Sequence, residues 1–310
     1  MLGRTLQKAK RLLFVPHRAR RLAHKARRWQ GARRARRIEA PAWTRVREGF
    51  WLKLDPAQYW DREVLIEGTW EPALTAVIRH AVREGETCID VGAHKGYVSF
   101  VLAETVGKAG VVLSFEPDPR AFEALRENLE RNAYHQIKLF PVALGDSEGF
   151  ISLTLSKTLG WSSQHPGELA APDALQTIAV RCMRFDAEAA FQSLLSNRHL
   201  SFLKMDAEGA EPAIWRGMSG TIQAHRPLIS LEVNYQCLAA GGFHVRDFRD
   251  AIVRAGYTEF FEPIVKPGQA RPATVRLKRI DITEERPLLV DTIIASRQSP
   301  YYDRIRALCD

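Results

Sequence analysis

Five short apolar runs recur along the chain, separated by stretches long enough to hold helices: Cys88-Ile89-Asp90-Val91, Val111-Val112-Leu113-Ser114-Phe115, Ile137-Lys138-Leu139-Phe140, Phe202-Leu203-Lys204-Met205 and Leu228-Ile229-Ser230-Leu231-Glu232-Val233. Short, largely apolar runs of this kind suit strands covered on both faces, and parallel strands require crossovers of about a dozen residues or more. Helical periods over Tyr97 to Glu104, Ala121 to Asn132 and Glu211 to Gly217 lie where such crossovers belong. The pattern predicts an α/β fold with a doubly wound, mostly parallel sheet. Tyr257, Phe260-Phe261 and the run Leu288 to Ile294 add two strands as a closing hairpin, making seven.

The rest of the chain divides around this unit. Residues 1–40 form a basic arm, 41–85 a lead-in segment and helix, and 86–310 the main domain. Trp43 to Trp70 is rich in aromatics, with Pro56 and Gly68 as breakers, and reads as irregular chain packed on the core. The helical period through Leu74, Val77, Ile78 and Val82 stops at Gly85. Over residues 146–200 the rhythm is broken by Gly160, Pro166, Gly167 and Pro172, so much of this span is expected to be an insertion over the sheet's edge, where loops set substrate specificity.

Charge separates the arm from the body. Residues 1–37 carry fourteen Lys/Arg and no Asp or Glu, so the chain's formal +9 conceals a body, 38–310, of −5. Leu2, Leu6, Ala9 and Leu13 share one helical stripe opposite Arg4, Lys8 and Arg11, up to Pro16, whereas His17 to Arg37 reads as a solvated cationic arm. Each such cation contributes about 1 kcal/mol near an anionic leaflet, so an anionic membrane surface is the expected partner of residues 1–37, with a disordered tail, or a nucleic acid or other polyanion as partner, as the alternatives. A mildly acidic body weighs against nucleic acid. Cys88, Cys182, Cys237 and Cys309 are scattered without metal-ligand spacing, which fits reduced thiols and a cytoplasmic, peripherally attached protein.

The chemistry gathers at the ends of the apolar runs. Asp90-Val91-Gly92-Ala93-His94-Lys95-Gly96 follows a strand and precedes a helix, so its glycines permit a sharp turn and its free backbone N–H groups favour a negative ligand. The spacing is neither GxGxxG nor a P-loop. Glu116 ends the next strand, where a carboxylate can hold ribose hydroxyls, and Val142-Ala143-Leu144-Gly145-Asp146 follows the third, where an adenine would lie. The fourth strand runs into Lys204-Met205-Asp206-Ala207-Glu208-Gly209-Ala210-Glu211, three acids within six residues.

Together with Gly68-Thr69-Trp70-Glu71 and Leu231-Glu232-Val233, these segments resemble the FkbM family of S-adenosylmethionine-dependent methyltransferases over roughly residues 65–235. The sequence departs from that family at His94-Lys95, where an Asn and an apolar residue are usual. The resemblance implies the Rossmann-like class I methyltransferase fold and O-methylation, frequently of a sugar hydroxyl in a polysaccharide, glycolipid or natural product. It also implies a cofactor site of Glu71, Asp90, Gly92, Ala93, His94, Gly96, Tyr97, Glu116, Ala143, Leu144 and Asp206. Within it Asp90, Gly92 and Gly96 would hold the amino-acid end and Glu116 the ribose.

Methyl transfer to a hydroxyl is an in-line displacement that needs alignment and removal of a proton. Asp206 is the first choice for base or metal ligand, with Glu208 and Glu211 as further catalytic acids and Glu232 as a second metal ligand. A divalent ion such as Mg²⁺ would lower the hydroxyl's pKa in place of a simple base. His94 and His165 are weaker candidates for the base. A nucleic-acid methyltransferase is the rival enzyme, although the chain lacks the Asn/Asp-Pro-Pro-aromatic loop of base amino-group methylation; a non-catalytic membrane scaffold is the rival of another class.

Overall fold

The computed structural model describes residues 25, 26, 28–33, 35–164, 173–265, 275–283 and 290–309. His165, Pro166, Gly167, Pro172, Leu288, Leu289 and residues 1–24 of the arm, with its expected amphipathic stripe, lie outside the described residues. Trp43 to Trp70 is more regular than its composition suggests. A hairpin of β1 (Ala42–Arg45) and β2 (Trp51–Leu54) closes over Gly49 at φ 113°, and the helix Tyr59–Glu67 follows. Residues 28–33 are helical and dock on that helix, where Arg28 bonds Glu63 at 3.1 Å and Glu67 at 2.6 Å. This end of the arm is therefore anchored, contrary to the expectation that all of 17–37 is solvated.

The strands of the main unit are β3 (Thr87–Val91), β4 (Val111–Phe115) and β5 (Ile137–Phe140), then β6 (Ala143–Leu144), β7 (Gly149–Ser156), β8 (Ala174–Met183), β9 (Leu200–Met205), β10 (Leu228–Val233), β11 (Glu259–Val265), β12 (Val275–Arg279) and β13 (Val290–Ala295). Among the described residues the central sheet has eight strands in the order β12-β11-β13-β10-β9-β3-β4-β5. Neighbours from β5 to β10 pair in parallel, while β13 runs antiparallel to both β10 and β11. The closing pair of strands is present, but the expected total of seven is corrected to eight. β12 adds to the outer edge of β11, and its Val-Arg-Leu-Lys-Arg alternation buries Val275 and Leu277 while exposing the basic side chains between them, as suits a charged edge strand.

Alternate side chains send the two faces of the sheet into separate cores. Cys88, Val112, Phe202 and Leu228 join one with the helices Pro72–Ala81, Tyr97–Val106 and Pro119–Asn132. Ile89, Val91, Leu113, Leu203, Met205 and Ile229 join the other with Ala189–Leu195, Glu211–Gly217 and Val245–Arg254. Because β4 and β5 extend to one side of β3 while β9 and β10 extend to the other, the strand order reverses at β3/β9, and a crevice opens beyond their carboxyl ends. Within the span 146–200, β7 and β8 form a long antiparallel ribbon with β6, and residues 159–162 line the crevice. Among the described residues no helix is long and apolar enough to cross a membrane.

Lys95, the departure in the glycine loop, has a partner distant in sequence. Its ammonium bonds Asp61 of the helix Tyr59–Glu67, both side chains are buried, and Asp61 also accepts the Asp55 N–H at 2.6 Å. Burial raises the Asp61 carboxyl above its usual value despite Lys95. The desolvation cost therefore exceeds the attraction, and breaking one half of such a pair is worse than replacing both. We expect Lys95→Met alone to cost about 3–5 kcal/mol in urea unfolding, because it strands a buried carboxylate, and Asp61→Asn/Lys95→Met to recover most of that loss. A double variant no more stable than the single one would rule out this account.

A carboxylate-lined candidate active site

The crevice floor begins with the turn after β3. Gly92 at φ 76° lies so close to the chain after β9 that a Cβ there would collide with the Asp206 carbonyl, and Gly96 at φ 94° starts the helix Tyr97–Val106 against Leu125. Ala93 and His94 line the crevice between them, and the backbone of Gly92 does so too. His94 itself has φ 50°; its N–H donates to Glu116 Oε2 at 2.7 Å and its ring meets Trp60 edge-on at 4.9 Å. Burial, aided by Lys95, pushes its pKa down to about 3, so it is a neutral imidazole with too little basicity for the reserve role as base.

Glu116 stands at the tip of β4 and accepts a second backbone N–H, from Asp118, at 2.9 Å. Burial lifts its carboxyl to about 7 in spite of those bonds. Each oxygen keeps a lone pair for a further donor, which suits a diol such as ribose. Val142, Ala143 and Leu144 give an apolar wall beside it. Tyr97 contributes ring surface only, because its hydroxyl is bound by Glu48 and by Thr69. Gly96 is not among the lining residues and acts by shaping the turn.

At the other end, acids surround one cation. The register pairs Asp90 of β3 with Lys204 of β9, and the Lys204 ammonium lies 2.9 Å from Asp206 Oδ2, 3.2 Å from the Gly92 carbonyl and 3.7 Å from Asp90 Oδ1. Burial opposes its charge, but Asp206, Asp90 and Glu71 outweigh that and hold it firmly protonated. Asp90 is fully buried, its other oxygen taking the Ser99 hydroxyl at 2.6 Å. It thus braces Lys204 and the helix Tyr97–Val106 while itself lining the crevice.

Burial also works against the ionised form of Asp206, yet Lys204 wins and keeps that carboxyl below its usual value. Around it burial raises the others: Glu71 and Glu208 to about 8, Asp291 to about 6, and Glu232 well above the normal range, with Asp206 adding to each shift. Asp291, which sequence reasoning gave no role, sits directly across from Glu232 in the β10/β13 register. Glu71, at φ 40°, holds the Trp70 indole N–H at 2.9 Å through Oε1, while its buried Oε2 has no hydrogen-bond partner among the described residues. Such an orphaned oxygen facing the crevice fits the ammonium or sulfonium of S-adenosylmethionine. Asp206, Glu208 and Glu232 each place an oxygen within 4.8 Å of the others, a donor set that also fits a hard divalent ion.

Glu211 is the expected catalytic acid that the structure turns elsewhere. It is fully buried, is absent from the crevice lining and accepts the backbone N–H groups of Ala207 at 2.8 Å and Gly209 at 3.0 Å. Its part is to fold the acid loop. Lys204, like Asp291, was given no role from sequence, although the Lys-x-Asp spacing at the end of β9 puts Lys204 and Asp206 on one face of the chain.

A family model, the Methyltransferase FkbM domain, matches residues 90–259. A protein-L-isoaspartate O-methyltransferase of Methanothrix thermoacetophila is 39% identical over 85 residues, which are 27% of this chain and 34% of that protein. The chain thus matches about a third of the length of that curated relative. Among solved structures, methyltransferase FkbM from Methylobacillus flagellatus is similar over 76% of this chain and 55% of its own, at 14% identity and a TM-score of 0.41. An S-adenosylmethionine-dependent O-methyltransferase from Thermotoga maritima is similar over 74% and 66%, at 11% identity and a TM-score of 0.37. The family model covers more than half of the chain, across the glycine turn, Glu116, the acid loop and Glu232, and on that ground the chain belongs to the FkbM family of S-adenosylmethionine-dependent methyltransferases.

Proposed function

We propose that this protein is an O-methyltransferase that acts on a neutral sugar hydroxyl of a polysaccharide, glycolipid or glycosylated natural product. The observation that carries the reading is the set of carboxylates at one end of the crevice, Glu71, Asp90 and Asp206 around the ammonium of Lys204, with Glu208 and Glu232 beside Asp206. A wall with one cation among its acids offers phosphates and carboxylates little to pair with, while carboxyls raised towards or above neutral pH can both accept from and donate to neutral hydroxyls. That charge balance disfavours both a nucleic-acid acceptor and a carboxylate acceptor.

The bound cofactor supplies an electrophilic methyl group on a sulfonium. Glu71 and the acid loop balance its positive charge, while Glu116 takes the ribose hydroxyls. Asp206 is tied to Lys204 and is a weak base, so the proton acceptor passes from Asp206 to Glu208, whose raised pKa near 8 suits removal of a hydroxyl proton at neutral pH. Asn234 Nδ2 donates to Glu208 Oε2 at 3.0 Å and fixes that carboxylate in place. A divalent ion such as Mg²⁺ would be held by Asp206, Glu208 and Glu232, where it would acidify the acceptor hydroxyl.

Calorimetric titration with S-adenosylhomocysteine tests the cofactor half of this reading. Wild-type binding should weaken about tenfold or more in each of Glu71→Gln and Glu116→Gln, as expected for loss of a charge-assisted hydrogen bond. Folded wild-type protein that binds neither this compound nor S-adenosylmethionine would refute it.

The acids also fix a sign in stability. Glu208 has a folded-state pKa raised from 4.5 to about 8, so its protonated form favours the fold below pH 4.5 and that contribution is lost as pH rises towards 8. Glu208→Gln has no such loss. Its melting temperature is therefore expected to gain on wild type steadily between pH 5 and pH 8; a gap that stays constant with pH would count against a raised Glu208.

A further inference from the structure

We propose that the acceptor's pyranose ring is seated on a wall made by Tyr59 and Trp161 at the mouth of the crevice, with its hydroxyl edge turned towards Glu208. This rests on the sugar reading above and names the residues that would recognise the ring. Both side chains line the crevice, yet they remain 47% and 44% exposed. The other large exposed hydrophobic side chains among the described residues, Trp29, Phe150, Leu175 and Ile264, lie away from it.

Their rings are 6.0 Å apart and inclined at 42°, forming an open, angled surface that is not buried in the core. Each is held in position by bonds within the protein. Tyr59 opens the helix Tyr59–Glu67, which the Asp61–Lys95 pair fastens to the glycine turn. Trp161 sits in a turn tied at 3.0 Å from the Leu159 N–H to Gln58 Oε1, at 2.7 Å from the Ser162 hydroxyl to Asp118, and at 2.7 Å from the Ser163 hydroxyl to the Glu208 carbonyl. The turn bearing one ring is thus bonded both to the residue preceding the other ring and to the backbone of the proposed base. A surface ordered in advance in this way saves the entropy of arranging it on binding.

The chemistry of the two sides selects the occupant. Aromatic faces carry negative charge density and attract weakly positive C–H groups, while the acids beyond them accept O–H groups. A pyranose presents both, with C–H bonds on its faces and hydroxyls around its rim. An acyl chain would satisfy the rings and leave the acids unpaired, and a nucleotide's phosphates would find no cation other than Lys204 among the crevice-lining residues.

The test uses the full chain saturated with S-adenosylhomocysteine and saturation-transfer NMR with the methyl pyranosides of glucose, galactose, mannose and rhamnose. Tyr59→Ala and Trp161→Ala should weaken the bound glycoside by about tenfold each, Tyr59→Phe and Trp161→Phe should restore most of it, and S-adenosylhomocysteine affinity should stay within about twofold of wild type throughout. Unchanged melting temperatures check that the surface substitutions leave the fold intact. Loss of S-adenosylhomocysteine affinity in the alanine variants would show instead that the rings cover the cofactor. Glycoside binding that ignores the rings would overturn the wall and leave the sugar reading standing, whereas a cofactor-loaded wild type that binds none of the four would overturn both.

Discussion

A single buried ammonium organises the reactive end of this fold. Lys204 lies where the strand order reverses, between the tips of β3 and β9, and it touches a carboxylate on each and a carbonyl of the glycine turn. Without that charge, the buried Asp90 and the half-buried Asp206 would be two anions at neighbouring strand tips with no cation between them. With it, Asp206 is kept ionised, while burial and the Asp206 charge push Glu208 and Glu232 towards their protonated forms. The short segment Lys204-Met205-Asp206 thus supplies both the cation that holds one carboxylate ionised and the anion that discourages ionisation of the acids beyond it.

The sheet and the cofactor crevice were largely legible in the sequence, because both depend on local signals. Apolar runs at helix-length intervals reveal the parallel strands, and carboxylates at the ends of those runs reveal the crevice. Glu71, Asp90, Glu116, Asp206, Glu208 and Glu232 all line it. What a reading of the sequence lacks is direction. Glu211 and Glu208 are three residues apart and chemically alike, yet one turns inwards to cap backbone N–H groups and the other faces the crevice. Likewise the pairing of Lys95 with Asp61 spans the lead-in segment and the glycine turn, a relation that no local pattern encodes.

The two aromatic residues at the crevice mouth were hidden for a related reason. Tyr59 belongs to a stretch whose composition suggested irregular chain, and Trp161 to an insertion identified only by its breakers. Their significance comes from being brought together by Gln58 and Leu159, which are a hundred residues apart in the chain. β12 escaped notice because its alternating, strongly basic sequence has none of the apolar continuity by which the inner strands are recognised.

The contact of Gly92 with the Asp206 carbonyl has a thermodynamic consequence. With no room between them, the turn that receives the cofactor and the loop that carries the acids cannot be displaced independently. Whatever work one ligand does on this shared backbone is felt by the other as a change in affinity, and reciprocity makes the two changes equal. The donor and the acceptor proposed for this crevice are therefore coupled through the Gly92–Asp206 contact, and equally so in whichever order they bind.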